Sequence, residues 1–199
     1  MNGVAFSPDG KLLAAAYGDR RVRLWNPATG QAVGNLLTDT SPGGGVNGVA
    51  FSPVGKLLAT ADADGTVRVW SLATGPDPRA PFAIYTVTGG GVNGLAFSPD
   101  GKLLAAAYGD HYVRLWNPAT GQAVGALLTD ADPGGGVNGV AFSPVGKLLA
   151  TAAADGAVRT LQLSLFADPY AALCADTEPP TKANWTQRAP GEPHPSVCS

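Results

Sequence analysis

The chain is short of charge. Asp, Glu, Lys and Arg make up only 14% of its 199 residues, well below the quarter common in soluble domains. The net charge is -2, and the longest basic run is the pair Arg20-Arg21. A nucleic-acid partner is read from a basic stripe or patch, so none is expected. No apolar run approaches the ~20 residues that a membrane-spanning helix needs. The start, MNGVAFSPDGK, lacks the basic segment and apolar core that mark a secretory leader. These absences set the expectation of a cytoplasmic chain with no membrane partner. Cysteine is equally scarce: Cys174 and Cys198 both lie near the end, too few for a disulfide framework. With only His111 and His194 as histidines, imidazole-based catalysis has little to work with.

What the chain has is glycine and proline, 27 and 17 residues. That balance suits short strands joined by tight turns. It also has repeats. The phrase (V/M)NG(V/L)AFSP occurs with its Phe at positions 6, 51, 97 and 142, at spacings of 45, 46 and 45. A longer period overlies this one. Residues 1–72 and 92–163 agree at 60 of 72 positions, at an offset of 91. The stretch GGGVNGVAFSPVGKLLATA stands unchanged at 43–61 and at 134–152.

Each unit divides into strands. VNGVAF alternates and is rich in β-formers, and SPDG or SPVG is a turn whose Gly accepts positive φ. KLLAAA and KLLATA read as strands buried on both faces. GDRR, ADGT, GDHY and ADGA are tight hairpin turns. VRLW and VRVW alternate, with Arg expected outward. NPATGQ is a turn, and AVGNLLT or AVGALLT a weaker fourth strand. Four antiparallel strands in about 45 residues match the period and strand count of a propeller blade.

FSPDGKLLA, a hairpin Asp, VRLW and a PATG turn, in this order and at this spacing, resemble the WD-repeat family over residues 1–163. The resemblance implies an all-β fold of four four-stranded blades, at about 1–45, 46–91, 92–136 and 137–163. Some positions depart from the family pattern. Asn26, Ser71 and Asn117 follow the Trp where the family often has Asp, and Leu161 replaces the Trp of the last unit. Its Gly-His before the first strand is also missing, so the His–Asp–Ser/Thr–Trp network of many blades is incomplete. The hairpin Asp persists at Asp19, Asp64, Asp110 and Asp155, whereas Thr survives only at Thr60 and Thr151.

Rings of this family usually close with seven or eight blades, the N-terminal segment supplying the last outer strand. Four inner triplets and three outer strands are legible here, which predicts an open arc or half-propeller. Three arrangements satisfy that inventory: a fragment of a longer propeller, a homodimer completing an eight-blade ring, or an arc that closes alone or stays capped.

Residues 164–199 form a tail of different composition, expected to pack on the last blade. DPYAALCAD reads as a short helix capped by Asp168 with Pro169 first, and TKANWTQ as a second. LC at 173–174, TKANW at 181–185 and PGEP at 190–193 resemble the tail after the last blade of bacterial WD-repeat proteins. In those relatives the propeller often ends a large signalling protein with an NTPase or kinase module. A Cys174–Cys198 disulfide and two reduced thiols both remain open.

Chemistry finds few candidates. Neither His sits where several units converge, so a Ser–His–Asp set cannot be placed. DADG at 62–65 echoes a calcium loop but lacks its Gly and Glu at the required spacings. The GGG runs precede strands, not phosphate-binding helices, and are expected to form tight crossings between blades. Trp25, Trp70 and Trp116 are expected in the inter-blade core. No cofactor, metal or catalytic residue is therefore assigned, and a non-catalytic scaffold for protein partners is the expectation. Its contact face would combine hairpins and crossings: Asp19, Arg20, Arg21, Asp39, Thr40, Asp62, Asp64, Asp110, His111, Tyr112, Asp130 and Asp132. There the near-identical blocks differ, Arg20-Arg21 against His111-Tyr112 and Thr40-Ser41 against Ala131-Asp132. A constant frame with varying loops is how repeat proteins present a binding surface.

Overall fold

Glycine turns punctuate the described chain and leave every regular element a strand. A computed structural model describes residues 1–38, 44–72, 81, 83–87, 90–124, 128–129 and 135–163. The expectations for the tail, including Cys174 and Cys198, fall outside them, as do those for Asp39, Thr40, Asp130 and Asp132.

The strands sort into four antiparallel sheets in chain order. Blade 1 holds β1 (Gly3–Phe6), β2 (Leu13–Ala16), β3 (Arg21–Asn26) and β4 (Gln31–Thr38). Blade 2 holds β5 (Val46–Phe51), β6 (Leu57–Asp62), β7 (Thr66–Ser71) and β8 (Ala83–Thr86). Blade 3 holds β9 (Val92–Phe97), β10 (Leu104–Tyr108), β11 (Tyr112–Trp116) and β12 (Leu128–Thr129). Blade 4 holds β13 (Val137–Phe142), β14 (Leu148–Ala153) and β15 (Val158–Gln162). The inner triplets and three outer strands read from the sequence are thus all present. Within each blade neighbours in sequence pair antiparallel, as short connections allow.

Consecutive blades stack face on face, and the core lies between them. Ala14, Ala16, Val22 and Leu24 of blade 1 pack on Val46, Leu58 and Trp70 of blade 2. The far side of blade 2, with Ala59, Ala61, Val67 and Val69, meets Val92, Leu104, Ala106 and Tyr108 of blade 3. Blade 3 in turn presents Ala105, Ala107, Val113 and Leu115 to Val137 and Leu149 of blade 4. Burying one such Val or Leu stabilises by roughly 1.5–3 kcal/mol. Small alanines in the middle of the second strands let the sheets approach closely, and the bulk comes from the third strands and from Leu58, Leu104, Tyr108 and Leu149 near the ends of the second. Trp70 is buried in the first interface, and Trp116 stacks on Tyr85 in the second, with centroids 4.7 Å apart. Trp70 and Trp116 therefore serve the inter-blade core, as expected, whereas Trp25 is half-buried on the outward face of blade 1 and belongs to no inter-blade cluster.

The stack is an open arc. Inner strands touch in the series β1–β5–β9–β13, and blades 1 and 4 do not pack together. Among the described residues nothing packs on the outward faces of these end blades: Phe6 is 64% and Val158 74% exposed.

One expectation fails. In the two internal blades the third-strand arginines do not point outward. Arg68 is buried and Arg114 nearly so. Alternation implies a wet face only for a sheet packed on one side, and an internal blade is covered on both.

Candidate functional site

In blades 2, 3 and 4 the turn between the second and third strands lies at the same end as the crossing into the blade. The carbonyl of Gly45 accepts from the Ala63 N–H at 2.9 Å, that of Gly91 from Gly109 at 3.0 Å, and that of Gly136 from Ala154 at 2.9 Å. Each crossing also presses on the hairpin of the preceding blade. A Cβ on Gly45 would lie 2.6 Å from the Cα of Gly18, and one on Gly136 2.9 Å from that of Gly109. Side chains of any size would force the hairpins apart. Gly45, Gly91 and Gly136 are wedges between blades, and they set the hairpins and the described ends of the crossings side by side on one face.

Each hairpin Asp forms an ion pair with the Arg four residues on. The pairs are Asp110–Arg114 at 2.7 Å, Asp155–Arg159 at 2.7 Å, Asp64–Arg68 at 3.4 Å and Asp19–Arg23 at 3.5 Å. Arg114 bonds both carboxylate oxygens of Asp110 and lies over the Tyr108 ring at 4.3 Å and the Tyr112 ring at 5.3 Å. Arg23 lies over Tyr17 at 4.3 Å. These clamps hold the turns where the family network is incomplete. The bond from Arg159 holds the Asp155 carboxyl below its ordinary value. Burial pushes the Tyr108 phenol up to about 12.

Blade 2 carries a second carboxylate. Asp62 is buried, receives a hydrogen bond from Arg68, and lies 3.3 Å from the Thr60 hydroxyl that donates to it. Its place in the exposed contact face is therefore corrected. The residue ends β6, between two blades, where a carboxylate is tolerated only with a paired cation. Ala153 is its counterpart in blade 4, and no such pair forms there.

The four turns share a left-handed position but differ in the residue that holds it. Gly65 and Gly156 occupy the left-handed region at φ 85° and 84°. Blades 1 and 3 place Arg20 (φ 67°) and His111 (φ 72°) there instead. A side chain at such a position costs about 1–2 kcal/mol, so two of four hairpins hold a strained residue on this face. Arg20 and Arg21 are exposed beside Asp19, which lies 3.8 Å from Arg21. His111 is half-buried, and its Nδ1–H donates to the carbonyl of Gly135 in the next crossing at 2.6 Å. Tyr112 and Asp110 are half-buried beside it.

The structure thus brings Asp19, Arg20 and Arg21 together at one hairpin, and Asp110, His111 and Tyr112 at another. Sequence reasoning missed the arginine clamps, although Asp-x-x-x-Arg recurs in all four units at 19–23, 64–68, 110–114 and 155–159. It also missed a set of asparagine hooks. The side-chain amide of Asn2 donates to the Val46 carbonyl at 3.0 Å, Asn47 to Val92 at 2.9 Å, and Asn93 to Val137 at 3.0 Å. Each hook ties an inner strand to the next blade.

No group of His, Cys, Asp and Glu that could hold a metal ion occurs among the described residues. No helix among them is long and apolar enough to cross a membrane. Among curated proteins, none matches the chain. A family model described as WD domain, G-beta repeat matches residues 1–26, 34–71, 82–117 and 127–160. Those matches cover more than half the chain and coincide with the four blades, so the protein belongs to the WD-domain, G-beta repeat family.

Proposed function

We propose that the chain is a non-catalytic scaffold that binds protein partners through its hairpin-and-crossing face. WD repeats are generally interaction scaffolds, and the observation that carries the assignment is the pair of strained turns. Arg20 and His111 hold the left-handed position that glycine fills in the other two blades. Strain at a non-glycine residue is a sign that the side chain itself matters. Arg20 and Arg21 offer charge-assisted donors, while His111 and Tyr112 offer a half-buried aromatic step, a combination enriched at binding hot spots.

The test replaces Arg20, Arg21, His111 and Tyr112 with alanine together. The expected result is loss of partner capture from lysate with an unchanged circular dichroism spectrum. Unchanged capture would show that the face is wrongly assigned.

A second reading rests on the sequence of the tail. LC, TKANW and PGEP support a sensor or regulatory end of a larger bacterial signalling protein, linked to an NTPase or kinase and cytoplasmic. The genomic sequence immediately 5′ of the Met1 codon tests it. An open frame encoding further repeats or such a module favours this reading, and a promoter there contradicts it.

A further inference from the structure

The two uncovered ends of the arc are copies of two faces that already meet inside it. Blade 2 and blade 3 join through Ala59, Ala61, Val67 and Val69 on one side and Val92, Leu104, Ala106 and Tyr108 on the other, with Leu57, Leu95, Phe97 and Trp116 packed around them. Moving 91 positions back from blade 3 gives the outward face of blade 1: Met1, Val4, Phe6, Leu13, Ala15, Tyr17 and Trp25. Moving 91 positions on from blade 2 gives the outward face of blade 4: Leu148, Ala150, Ala152, Val158 and Thr160. The substitutions are small. Thr160 stands for Val69, Val4 for Leu95 and Met1 for Val92. Tyr85 and Val87 have no counterpart among the described residues.

Exposure follows the loss of the neighbour. Val67 is completely buried and its copy Val158 is 74% exposed. Phe97 is half-buried, whereas Phe6 is 64% exposed, and Val4 and Leu148 are also uncovered. A large apolar surface of this kind marks a contact site.

The hooks point the same way. Asn2, Asn47 and Asn93 each donate to a carbonyl of the following blade. Asn138 is the fourth member of the series. It is exposed, and its side chain has no hydrogen-bond partner among the described residues. Asn47 donates to Val92, and at the 91-residue offset the counterpart of that pair is Asn138 with the carbonyl of Met1. Inside one chain these groups sit at opposite ends of the arc. The inner strand leaves room there too: a Cβ on Gly48 would lie 3.9 Å from the Asn93 carbonyl of blade 3, and its copy on blade 4 is again a glycine, Gly139.

We propose that the occupant of each free face is a second copy of this chain. Blade 4 of one copy docks on blade 1 of the other, repeating the joint between blades 2 and 3, and Asn138 hooks the partner's Met1 carbonyl. The contact is head-to-tail, and two copies make it twice. Such a contact closes into a ring when the rotation between units permits. Two arcs of four blades give eight, within the range at which propellers close. The assembly is independent of what the hairpin face binds.

Light scattering on the eluting chain tests this at low micromolar concentration. Val158 and Phe6 are exposed in the single chain, so Val158→Arg and Phe6→Glu should both fold, which circular dichroism checks. The unsubstituted chain should weigh twice 20.0 kDa. Either variant alone spoils both joints, and its mass should halve. An equimolar mixture should return to the doubled mass, because one joint is then wholly native and the other sets Arg against Glu. A mass of 20.0 kDa for the unsubstituted chain would overturn the proposal, whether the tail or nothing covers the faces. So would a variant that stays dimeric, a mixture that stays monomeric, or assemblies that grow beyond the dimer.

Discussion

Blades 2 and 4 share the run from Gly43 or Gly134 through nineteen identical residues, yet they live differently. Blade 2 has a neighbour on each side, and its third strand is buried throughout, TVRVWS reading as five buried residues and one intermediate. Among the described residues blade 4 has a neighbour on one side, and VRTLQ alternates between exposed and intermediate. The same strand-forming sequence therefore yields a core strand or an end strand, depending on what stacks against it. The residues that differ follow the same logic. Blade 2 keeps Asp62 and Trp70, which need full cover, while blade 4 has Ala153 and Leu161 in their places.

The sharpest way to break this comparison is to remove the clamp in each blade. Arg68→Ala leaves Asp62 buried without its cation, and the loss should be about 3–5 kcal/mol. Arg159→Ala opens a clamp that water already reaches, and its denaturation midpoint should stay within error of the parent. Urea melts of the two variants measure the contrast directly. Equal effects would mean that blade 2 is no more enclosed than blade 4.

Alkali probes the joint between blades 2 and 3. The Tyr108 phenol titrates near 12 when folded and near 10 when unfolded. Its neutral form is favoured by folding, so its stability contribution is intact below pH 10. The unfolded phenol ionises first as pH rises, and stability falls between 10 and about 12. At 1.36 kcal/mol per unit the fall amounts to up to about 2–3 kcal/mol. Tyr108→Phe should flatten this limb in melts recorded against pH.

A smaller contrast concerns the hooks. Asn47→Ala should cost about 1 kcal/mol, the worth of an ordinary hydrogen bond. Asn138→Ala should leave the stability of the single chain unchanged and weaken self-association instead, read as a rise in the dimer dissociation constant. The turns give effects of opposite sign. Gly65→Ala loses about 1–2 kcal/mol, and its Cβ would also meet the Val87 carbonyl at 2.5 Å. Arg20→Gly, by contrast, should gain about 0.5–1 kcal/mol by relieving a strained residue, measured by thermal melts.

Much of the fold was legible because four copies of the unit reinforce one another. Strands, turns and blade order follow from period-two alternation and from Gly at fixed offsets, and the missing outer strand of the last unit was already evident. The enclosure of each blade was not. Alternation in VRLW looks like a wet and a dry face, and only the stacking of sheets turns Arg68 inward and buries Asp62. The strain at Arg20 and His111 was readable, since Gly65 and Gly156 hold the same turn position in the sister units. The hooks were not, because Asn47 and Val92 are brought together only by the rotation from one blade to the next.

The central claim is that the ends of the arc fit each other as blade 2 fits blade 3. Solution X-ray scattering on the unsubstituted chain tests this without any mutation. The account predicts a forward-scattering mass of twice 20.0 kDa and a radius of gyration of about 21 Å, as for a compact particle of double length. A mass of 20.0 kDa at every concentration would contradict it.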